Sequence, residues 1–294
     1  MLEFRKIELS DMERAVRALR YSDKMMSEFS FANNYAWESM LNLKICFYHD
    51  FYIVGFFGGE DPEFLFPSGP GDLSGVVAQL RAYADSCGAP LRLLSCEEKM
   101  LPLMEKMYGG SFTVDALDDV SDYIYSTKDE TELRGHKGRQ WRRFCREFEG
   151  RFVFRPIESE EDCKKCVSFT EELFKRNASP DESAVHEQIA VKKYFENFRL
   201  FGMEGIILEA DGVMMGYTAG TPLNSETFDV NLEKADRTCS RDLSIVLEYK
   251  IAEKMLDRFK YLNCEEDLGI PGLRYAKTIE HPCLILKKYD LTFR

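Results

Sequence analysis

The residues best suited to bind an anion lie in one basic segment. Between positions 134 and 146 the chain has six Lys or Arg residues, one His and no acid, although its formal net charge is -12. Two sets of side chains here repeat at i, i+3, i+4 and i+7, which is the spacing of one helix face. The aromatic-rich set is Trp141, Phe144, Cys145 and Phe148, and the basic set is Arg139, Arg142, Arg143 and Arg146. We therefore predict a helix over residues 136–148 that packs through aromatics and exposes a row of guanidinium groups.

A row of guanidinium groups repels itself unless an anion or an acid lies among them. Phosphate is a common ligand, because the planar guanidinium donates two parallel hydrogen bonds to it. Lys137, Arg139, Arg142 and Arg143 are the predicted ligands of a phosphate-bearing substrate. The alternative is a solvated helix face that nearby acids neutralise: Asp115, Asp118, Asp119, Asp122, Glu147 and Glu149.

A second polar group follows a strand pattern. Polar and apolar residues alternate strictly from Phe228 to Glu233, which places Asp229, Asn231 and Glu233 on one face of a strand. If a helix covers that face, these groups need partners, and a substrate cleft would supply them. A sheet with one solvated face is the alternative explanation.

A third group joins a predicted strand to a predicted helix at residues 263–277. Arg274 and Lys277 stand three positions apart on one face of the first helical turns, where free backbone N–H groups also favour an anion. Glu265 and Asp267 lie just before them, and all four are candidate substrate-binding residues. Pairing of these acids with the two cations is the alternative. Anion binding and internal pairing both remain open for this segment.

The elements that must position these groups belong to an α+β pattern, in which consecutive strands are followed by helix, strand, helix and strand in both halves. In the first half we predict strands over 2–9, 44–47, 51–57, 63–66 and 91–95, with helices after Ser10 and over 34–41, 72–86 and 97–107. In the second half we predict strands over 151–157, 205–210, 213–222, 227–233, 261–264 and 284–289, with helices over 160–176, 182–198, 244–258 and 271–278. We place two domains at 1–115 and 116–294, joined around residues 112–125.

Composition excludes several classes. At 294 residues with 45% apolar and 31% charged content, the chain is a folded protein of two domains. It has no apolar run near the roughly 20 residues that span a bilayer, and no basic-then-apolar leader, so we expect a cytoplasmic protein without membrane insertion. Nine cysteines suggest no disulfide framework, and Cys163 and Cys166 lack a second pair at zinc-ligand spacing, so no metal is expected. The acidic balance argues against DNA binding.

Motifs for several reaction mechanisms are absent from the sequence. It contains no GxSxG, no GxxxxGK[ST], no HExxH and no strand-linked GxGxxG. No nucleophile with an adjacent base can be named. The remaining chemistry is direct transfer between two substrates held in a cleft.

In their order along the chain, several motifs resemble one bacterial family. They are the early segment 27–37, Ser121 to Ser126 with the basic helix after it, Phe228 to Asp236, and Asn263 to Lys277 followed by His281 and Pro282. Together they resemble the C-terminal domain of phosphatidylglycerol lysyltransferase over nearly the whole chain. The resemblance implies two tandem GNAT-like domains (acyl-CoA N-acyltransferase-like), each a mixed, mainly antiparallel sheet flanked by helices, as in peptidoglycan aminoacyltransferases that use aminoacyl-tRNA.

The resemblance also assigns roles. Residues 227–233 and 261–264 become the adjacent central strands that splay apart to form the acyl-donor cleft. Asp229, Asn231, Glu233 and Lys234 are then the expected catalytic group, with Asp229 or Glu233 as base and Lys234, Arg274 or Lys277 facing developing negative charge. Aminoacyl-tRNA, or another phosphorylated molecule, becomes the expected donor.

One departure concerns the cofactor. GNAT enzymes that use acetyl-CoA carry a glycine-containing Q/R-x-x-G-x-G/A loop, whereas residues 237–244 contain no glycine. Side chains with Cβ obstruct close approach of a phosphate to the backbone. We therefore disfavour acyl-CoA and expect no cofactor, although Arg237 and Arg241 offer another way to bind an anion.

The function that follows is transfer of an aminoacyl or other acyl group, from an aminoacyl-tRNA-type donor, to an amine or hydroxyl. One alternative is a GNAT N-acyltransferase that uses acyl-CoA at an atypical site. The other is a non-catalytic double-GNAT module that binds a phosphorylated ligand.

Overall fold

The structure is a computed structural model that describes residues 2–176 and 182–294. Its α-helices, numbered along the chain, are α1 (Met12–Ser22), α2 (Phe31–Leu41), α3 (Leu73–Ser86), α4 (Leu101–Tyr108), α5 (Thr127–Glu130), α6 (Gly135–Phe148), α7 (Glu160–Arg176), α8 (Glu182–Glu196), α9 (Leu243–Met255) and α10 (Pro271–Ile279). Its strands are β1 (Leu43–Tyr48), β2 (Phe51–Phe56), β3 (Glu63–Leu65), β4 (Arg92–Cys96), β5 (Phe112–Ser126), β6 (Phe152–Pro156), β7 (Glu204–Ala210), β8 (Val213–Pro222), β9 (Thr227–Ala235), β10 (Tyr261–Asn263) and β11 (Leu284–Phe293).

The chain forms two compact units whose division differs from the expected domains. Unit 1 combines Met1–Tyr123 with Glu265–Arg294, and unit 2 is Ile124–Cys264. The C-terminal residues belong to unit 1 because β11 pairs antiparallel with β4 there. The expected boundary at 115/116 is therefore replaced by two crossings, and only long-range strand pairing reveals the second one.

Each unit contains one parallel strand pair among antiparallel neighbours. In unit 1 the strand order is β1-β2-β3-β4-β11-β5, with β3 and β4 parallel. In unit 2 the order is β5-β10-β9-β8-β7-β6, with β9 and β10 parallel and the other pairings antiparallel. Helices flank both sets of strands. The predicted α+β class, with mixed, mainly antiparallel strands flanked by helices, is confirmed.

Helix α6 forms where the basic segment predicts it. Phe144 is fully buried in a cluster with residues of β7, β8 and α9, and Trp141 and Phe148 pack against the same cluster. Arg139, Arg142 and Arg146 are exposed. Burying one Phe side chain contributes roughly 1.5–3 kcal/mol, so this aromatic face fixes the helix and directs its basic face outward.

One local prediction is wrong. No strand covers residues 2–9, where Arg5 makes an isolated bridge to Ile45. The backbone N–H of Glu8 instead donates to the Asp11 carboxylate, which bends this segment into a helix cap. The expected interdomain joint at 112–125 does contain the first crossing between the units, after Tyr123, although these residues belong to strand β5.

Candidate functional site

The central pair of unit 2 is β9 and β10, as the resemblance implies. Their parallel register runs from Thr227 opposite Tyr261 to Asp229 opposite Asn263. Strand β10 ends at Asn263, whereas β9 continues to Ala235. The two strands therefore part directly after Asp229, and a parallel pair that parts in a sheet creates a natural binding crevice.

Asp229 lies at that point and is held firmly. Its side chain is fully buried, and Asn231 Nδ2 donates to Asp229 Oδ2 over 2.8 Å. The hydroxyl of Thr221, on neighbouring β8, donates to Asn231 Oδ1 over 3.0 Å. Because this bond fixes the amide orientation, Asn231 presents its N–H group to the carboxylate. The expected catalytic residues Asp229 and Asn231 are thus brought together.

A β-bulge removes Glu233 from this pair. Val230 and Ala235 both pack against core clusters that contain α9 residues, although five positions separate them. Strict alternation would put them on opposite faces. The register of β8 with β9 shifts between Ala219 and Thr221, which accounts for the change. Glu233, two residues before Ala235, therefore lies on the α9 side, and Asp229, next to Val230, lies on the other. The shared polar face predicted for them is wrong.

Lys234 faces a different environment from the one expected. Its ammonium forms an ion pair with Glu187 of α8 and lies 5.8 Å from the ring centroid of Phe174 on α7. An ammonium already neutralised by a carboxylate contributes less to the stabilisation of a new negative charge. The structure thus gives Lys234 a packing and pairing role beside α7 and α8.

A basic groove lies beside the start of α9. It has a volume of about 650 Å³, and we call it the basic groove. Its lining residues come from α6 and from the loop between β9 and α9: Arg143, Arg146, Glu147, Arg237, Thr238, Cys239, Ser240 and Arg241. Of the predicted substrate ligands, only Arg143 lines it. Arg146, from the basic face of the same helix, and Arg237 and Arg241, from the loop before α9, complete the set.

The other predicted ligands on α6 do not line the groove. Lys137 Nζ binds Glu130 Oε2 at 2.5 Å, so this residue follows the neutralisation alternative. Arg139 and Arg142 are exposed and do not line the groove. Arg143 Nε donates to Asp242 Oδ2 over 2.5 Å, and its Nη2 donates to the other carboxylate oxygen. Asp242 is fully buried, so this pair anchors the wall of the groove.

The predicted ligands after β10 belong to unit 1 and bind one another. Arg274 donates to both oxygens of Asp267, over 2.7 and 2.8 Å, and also to Asp119 over 2.7 Å. The hydroxyl of Tyr123 donates to Asp267 over 2.6 Å. The Arg274 guanidinium holds the pKa of the Asp267 carboxyl well below its usual range. Internal pairing is therefore the correct alternative for Asp267 and Arg274.

Lys277 and Glu265 also have structural contacts. Lys277 Nζ donates to the backbone carbonyls of Glu265 and Glu266 over 3.1 and 2.8 Å. Glu265 Oε1 accepts a 3.2 Å hydrogen bond from Asn33 Nδ2. Both residues stabilise the turn between β10 and α10, where an ammonium near backbone carbonyls replaces hydration lost on folding.

A buried charge cluster in unit 1 has no signal in the sequence. Lys288 on β11 is 1% exposed, and its Nζ lies 2.7 Å from both Glu28 Oε1 and Asp122 Oδ1. Burial alone would lower the pKa of Lys288, but the carboxylates of Asp122 and Glu28 raise it above its usual value. Asp122 also accepts from the backbone N–H of Ser27 over 2.8 Å. These contacts tie β11 to unit 1.

A buried lysine lies beside the parallel pair of unit 1. Next to the end of β3, the carbonyl of Phe66 accepts a 3.0 Å hydrogen bond from Lys24 Nζ. This ammonium also lies 3.6 Å from the ring centroid of Phe29. Lys24 is buried, and burial lowers its pKa to about 7. A side chain thus occupies the place where a ligand would enter, which makes unit 2 the candidate site.

Neither a metal site nor a membrane span is found in residues 2–176 and 182–294. Over these ranges, no three His, Cys, Asp or Glu side chains converge in a way that could hold a metal ion. None of the helices described there has both the length and the apolar character to cross a membrane.

Several solved structures have a similar fold. No protein of curated function matches the sequence. A conserved protein of unknown function from Bacteroides thetaiotaomicron VPI-5482 has a similar structure, with a TM-score of 0.93, 29% identity and full coverage of both chains. The C-terminal domain of a putative lysylphosphatidylglycerol synthetase from Agrobacterium fabrum matches with a TM-score of 0.67 and 13% identity, over 96% of this chain and 91% of that one. L-PGS from Bacillus licheniformis matches with a TM-score of 0.59 and 16% identity, over 85% and 84%.

The family assignment rests on the sequence model. The family described as phosphatidylglycerol lysyltransferase, C-terminal, matches residues 19–292, which include the strands around Asp229, the basic groove and both crossings between the units. This chain therefore belongs to the phosphatidylglycerol lysyltransferase C-terminal family.

Proposed function

We propose that the chain is an aminoacyltransferase whose reaction takes place in unit 2, where β9 and β10 part. The observation that carries the proposal is the buried Asp229 carboxylate, held by the amide of Asn231 at that point. The family name supplies the reaction class, transfer of a lysyl group. An aminoacyl ester is already activated, so the protein must orient the acceptor, remove a proton and stabilise the oxyanion.

In the proposed reaction Asp229 acts as general base. The acceptor amine or hydroxyl attacks the ester carbonyl, Asp229 takes its proton, and the bond between the acyl carbon and the donor oxygen breaks. The departing donor oxygen then takes the proton, which restores the carboxylate. Asn231 holds Asp229 in place, and Thr221 holds Asn231. Because Lys234, Arg274 and Lys277 are committed to other partners, oxyanion stabilisation is assigned to none of them.

The expected donor is an aminoacyl-tRNA-type ester. One feature favours it over acyl-CoA: the absence of glycine from residues 237–244, beside a groove whose arginines can bind phosphate through side chains. Arginine side chains suit a phosphate of either donor, whereas a glycine loop suits a pyrophosphate bound by backbone N–H groups.

The test is transfer of a labelled lysyl group from lysyl-tRNA to phosphatidylglycerol in vesicles and, separately, to soluble amines. Asp229→Asn keeps the size of the side chain but cannot accept the proton, so we expect a loss of about 10²–10⁴-fold in kcat. Asp257→Asn, an exposed position in the same unit, is the matched control and should keep the wild-type rate.

Three outcomes would count against the proposal. An Asp229→Asn variant with the wild-type rate would exclude this base. Consumption of acetyl-CoA without any lysyl transfer would favour a GNAT N-acyltransferase with an atypical site. Stabilisation by a phosphorylated ligand with no turnover of any acyl donor would favour a binding module.

A further inference from the structure

We propose that the basic groove of unit 2 is a phosphate site built from arginine side chains alone. The inference rests on the proposed function in one respect, since the phosphate would belong to the acyl donor. The groove itself is defined independently of Asp229 by α6 and the loop before α9.

The groove concentrates positive charge in an acidic protein. Four arginines line it. Glu147, which also lines it, and Asp242, which pairs with Arg143, leave a formal charge of +2 in a chain of net charge -12. Both acids have partners, because Ser240 Oγ donates to Glu147 over 2.9 Å and Arg143 donates to Asp242. Guanidinium groups that lie close together and are not fully neutralised by carboxylates attract a negatively charged ligand.

Three of the four guanidinium groups are available to a ligand. Within the described parts of the chain, no acid lies within ion-pair distance of Arg146, Arg237 or Arg241. All three are exposed. They approach the groove from two elements, α6 and the loop, so a phosphate between them could accept hydrogen bonds from both sides.

Three backbone amides of the loop are already used, which favours side chains as the ligands of the anion. The N–H of Arg237 donates to the carbonyl of Ala235 over 3.1 Å, and the N–H of Cys239 donates to the carbonyl of Asp236 over 2.9 Å. The N–H of Thr238 donates to the Asp236 carboxylate over 3.1 Å. A backbone nest for phosphate needs successive N–H groups that point outward. This loop turns three of them inward instead.

Asp242 has a positioning role in this site. Its buried carboxylate accepts from Nε and Nη2 of Arg143, which directs Nη1 away from the pair. A bidentate pair of this kind has a defined geometry. Nη1 of Arg143 is therefore a hydrogen-bond donor in a fixed position, beside the three exposed arginines. The site is partly ordered before a ligand binds.

The experiment measures inorganic phosphate binding to the whole chain, with no acyl donor present. Thermal unfolding is followed as phosphate replaces chloride at constant ionic strength, so that general screening does not change. We expect a saturable rise in Tm for the wild type. Arg146→Gln and Arg241→Gln should each weaken phosphate binding about tenfold, since a charged hydrogen bond contributes about this factor. Arg139→Gln removes the same charge from the same helix, outside the groove, and should bind as the wild type does.

The results of the phosphate-binding experiment can be distinguished from those of the lysyl-transfer assay. Phosphate binding that is absent in the wild type, or unchanged in both groove variants, would overturn the side-chain site even if Asp229-dependent transfer is observed. Equal losses in Arg139→Gln and Arg146→Gln would also overturn it, since they would indicate diffuse attraction to α6. All substituted arginines are exposed, so their Tm without phosphate should stay near the wild-type value and serve as the check on folding.

Discussion

Replacing Lys24 with Met tests whether the parallel pair of unit 1 is closed to water. Lys24 Nζ has one backbone acceptor, the carbonyl of Phe66, and lies against the rings of Phe29 and Phe66. Burial lowers the pKa of Lys24 from 10.5 to about 7, against the opposing effect of the nearby Glu97 carboxylate. Other titratable groups near it are Glu28, Cys96 and Lys99. If water filled this place, the pKa would stay near its ordinary value.

The sign and size of the effect follow from linkage. Between pH 7 and 10.5 the unfolded chain holds a proton on Lys24 that the folded chain has released, so stability rises with pH across this window. Burial of Lys24 therefore lowers the free energy of unfolding by its full amount below the pKa of Lys24 in the folded chain. This loss disappears as pH rises through the pKa of Lys24 in the unfolded chain. At about 1.4 kcal/mol per pKa unit, the wild type should gain roughly 2–3 kcal/mol from this group between about pH 7.5 and 9.5. Lys24→Met has no group to titrate and should not gain it.

The assay is urea unfolding of both proteins at the two pH values. The difference between wild type and Lys24→Met is compared across pH, so that other titrating groups cancel, and so does the constant cost of the unpaired Phe66 carbonyl. Parallel pH profiles for the two proteins would refute the reasoning. They would mean that Lys24 is hydrated and that unit 1 has an open crevice of its own.

Further predictions concern the groove helix and the bulge. Phe144→Ala should cost about 3–5 kcal/mol of unfolding free energy because it empties a fully buried position; a loss below about 1 kcal/mol by urea titration would show that the aromatic face does not anchor α6. At Gly220 a Cβ would lie 1.9 Å from the Asp229 carbonyl oxygen, so Gly220→Ala should lower both Tm and transfer rate, whereas Gly272→Ala, with no atom within 4 Å, should change neither. Wild-type behaviour of Gly220→Ala in both assays would contradict the close packing beside Asp229.

Local patterns predicted much of the chain. Helix α7 and strand β8 begin and end at the residues that the sequence indicates, because the signals for each, including the Asp211-Gly212 turn before β8, lie within or next to its own segment. Helix α6 followed from one aromatic and one basic face in the same way. For these elements the side chains that bury the segment are spaced along it, so the sequence alone carries the signal.

In the candidate site, too, some features were predictable from local sequence and others were not. Asp229 and Asn231 are neighbours on one strand, and their association was predictable. The exclusion of Glu233 was not, since a bulge depends on the register with β8 and leaves no mark in the alternation of residues 228–233. The pairing of Arg274 with Asp267 was one of two open alternatives, and only geometry chose between them.

The sequence by itself determined the secondary structure around the site, the basic and aromatic faces of α6 and, through its resemblance, the family. The tertiary structure decided which charges meet. Arg143 reaches Asp242, 99 positions away, and the C-terminal β11 returns to unit 1 to bury Lys288 between carboxylates. A charge has the same appearance in a sequence whether it will be solvated, paired or available to a ligand. Its environment depends on long-range packing, because burial and the nearest opposite charge set its energy.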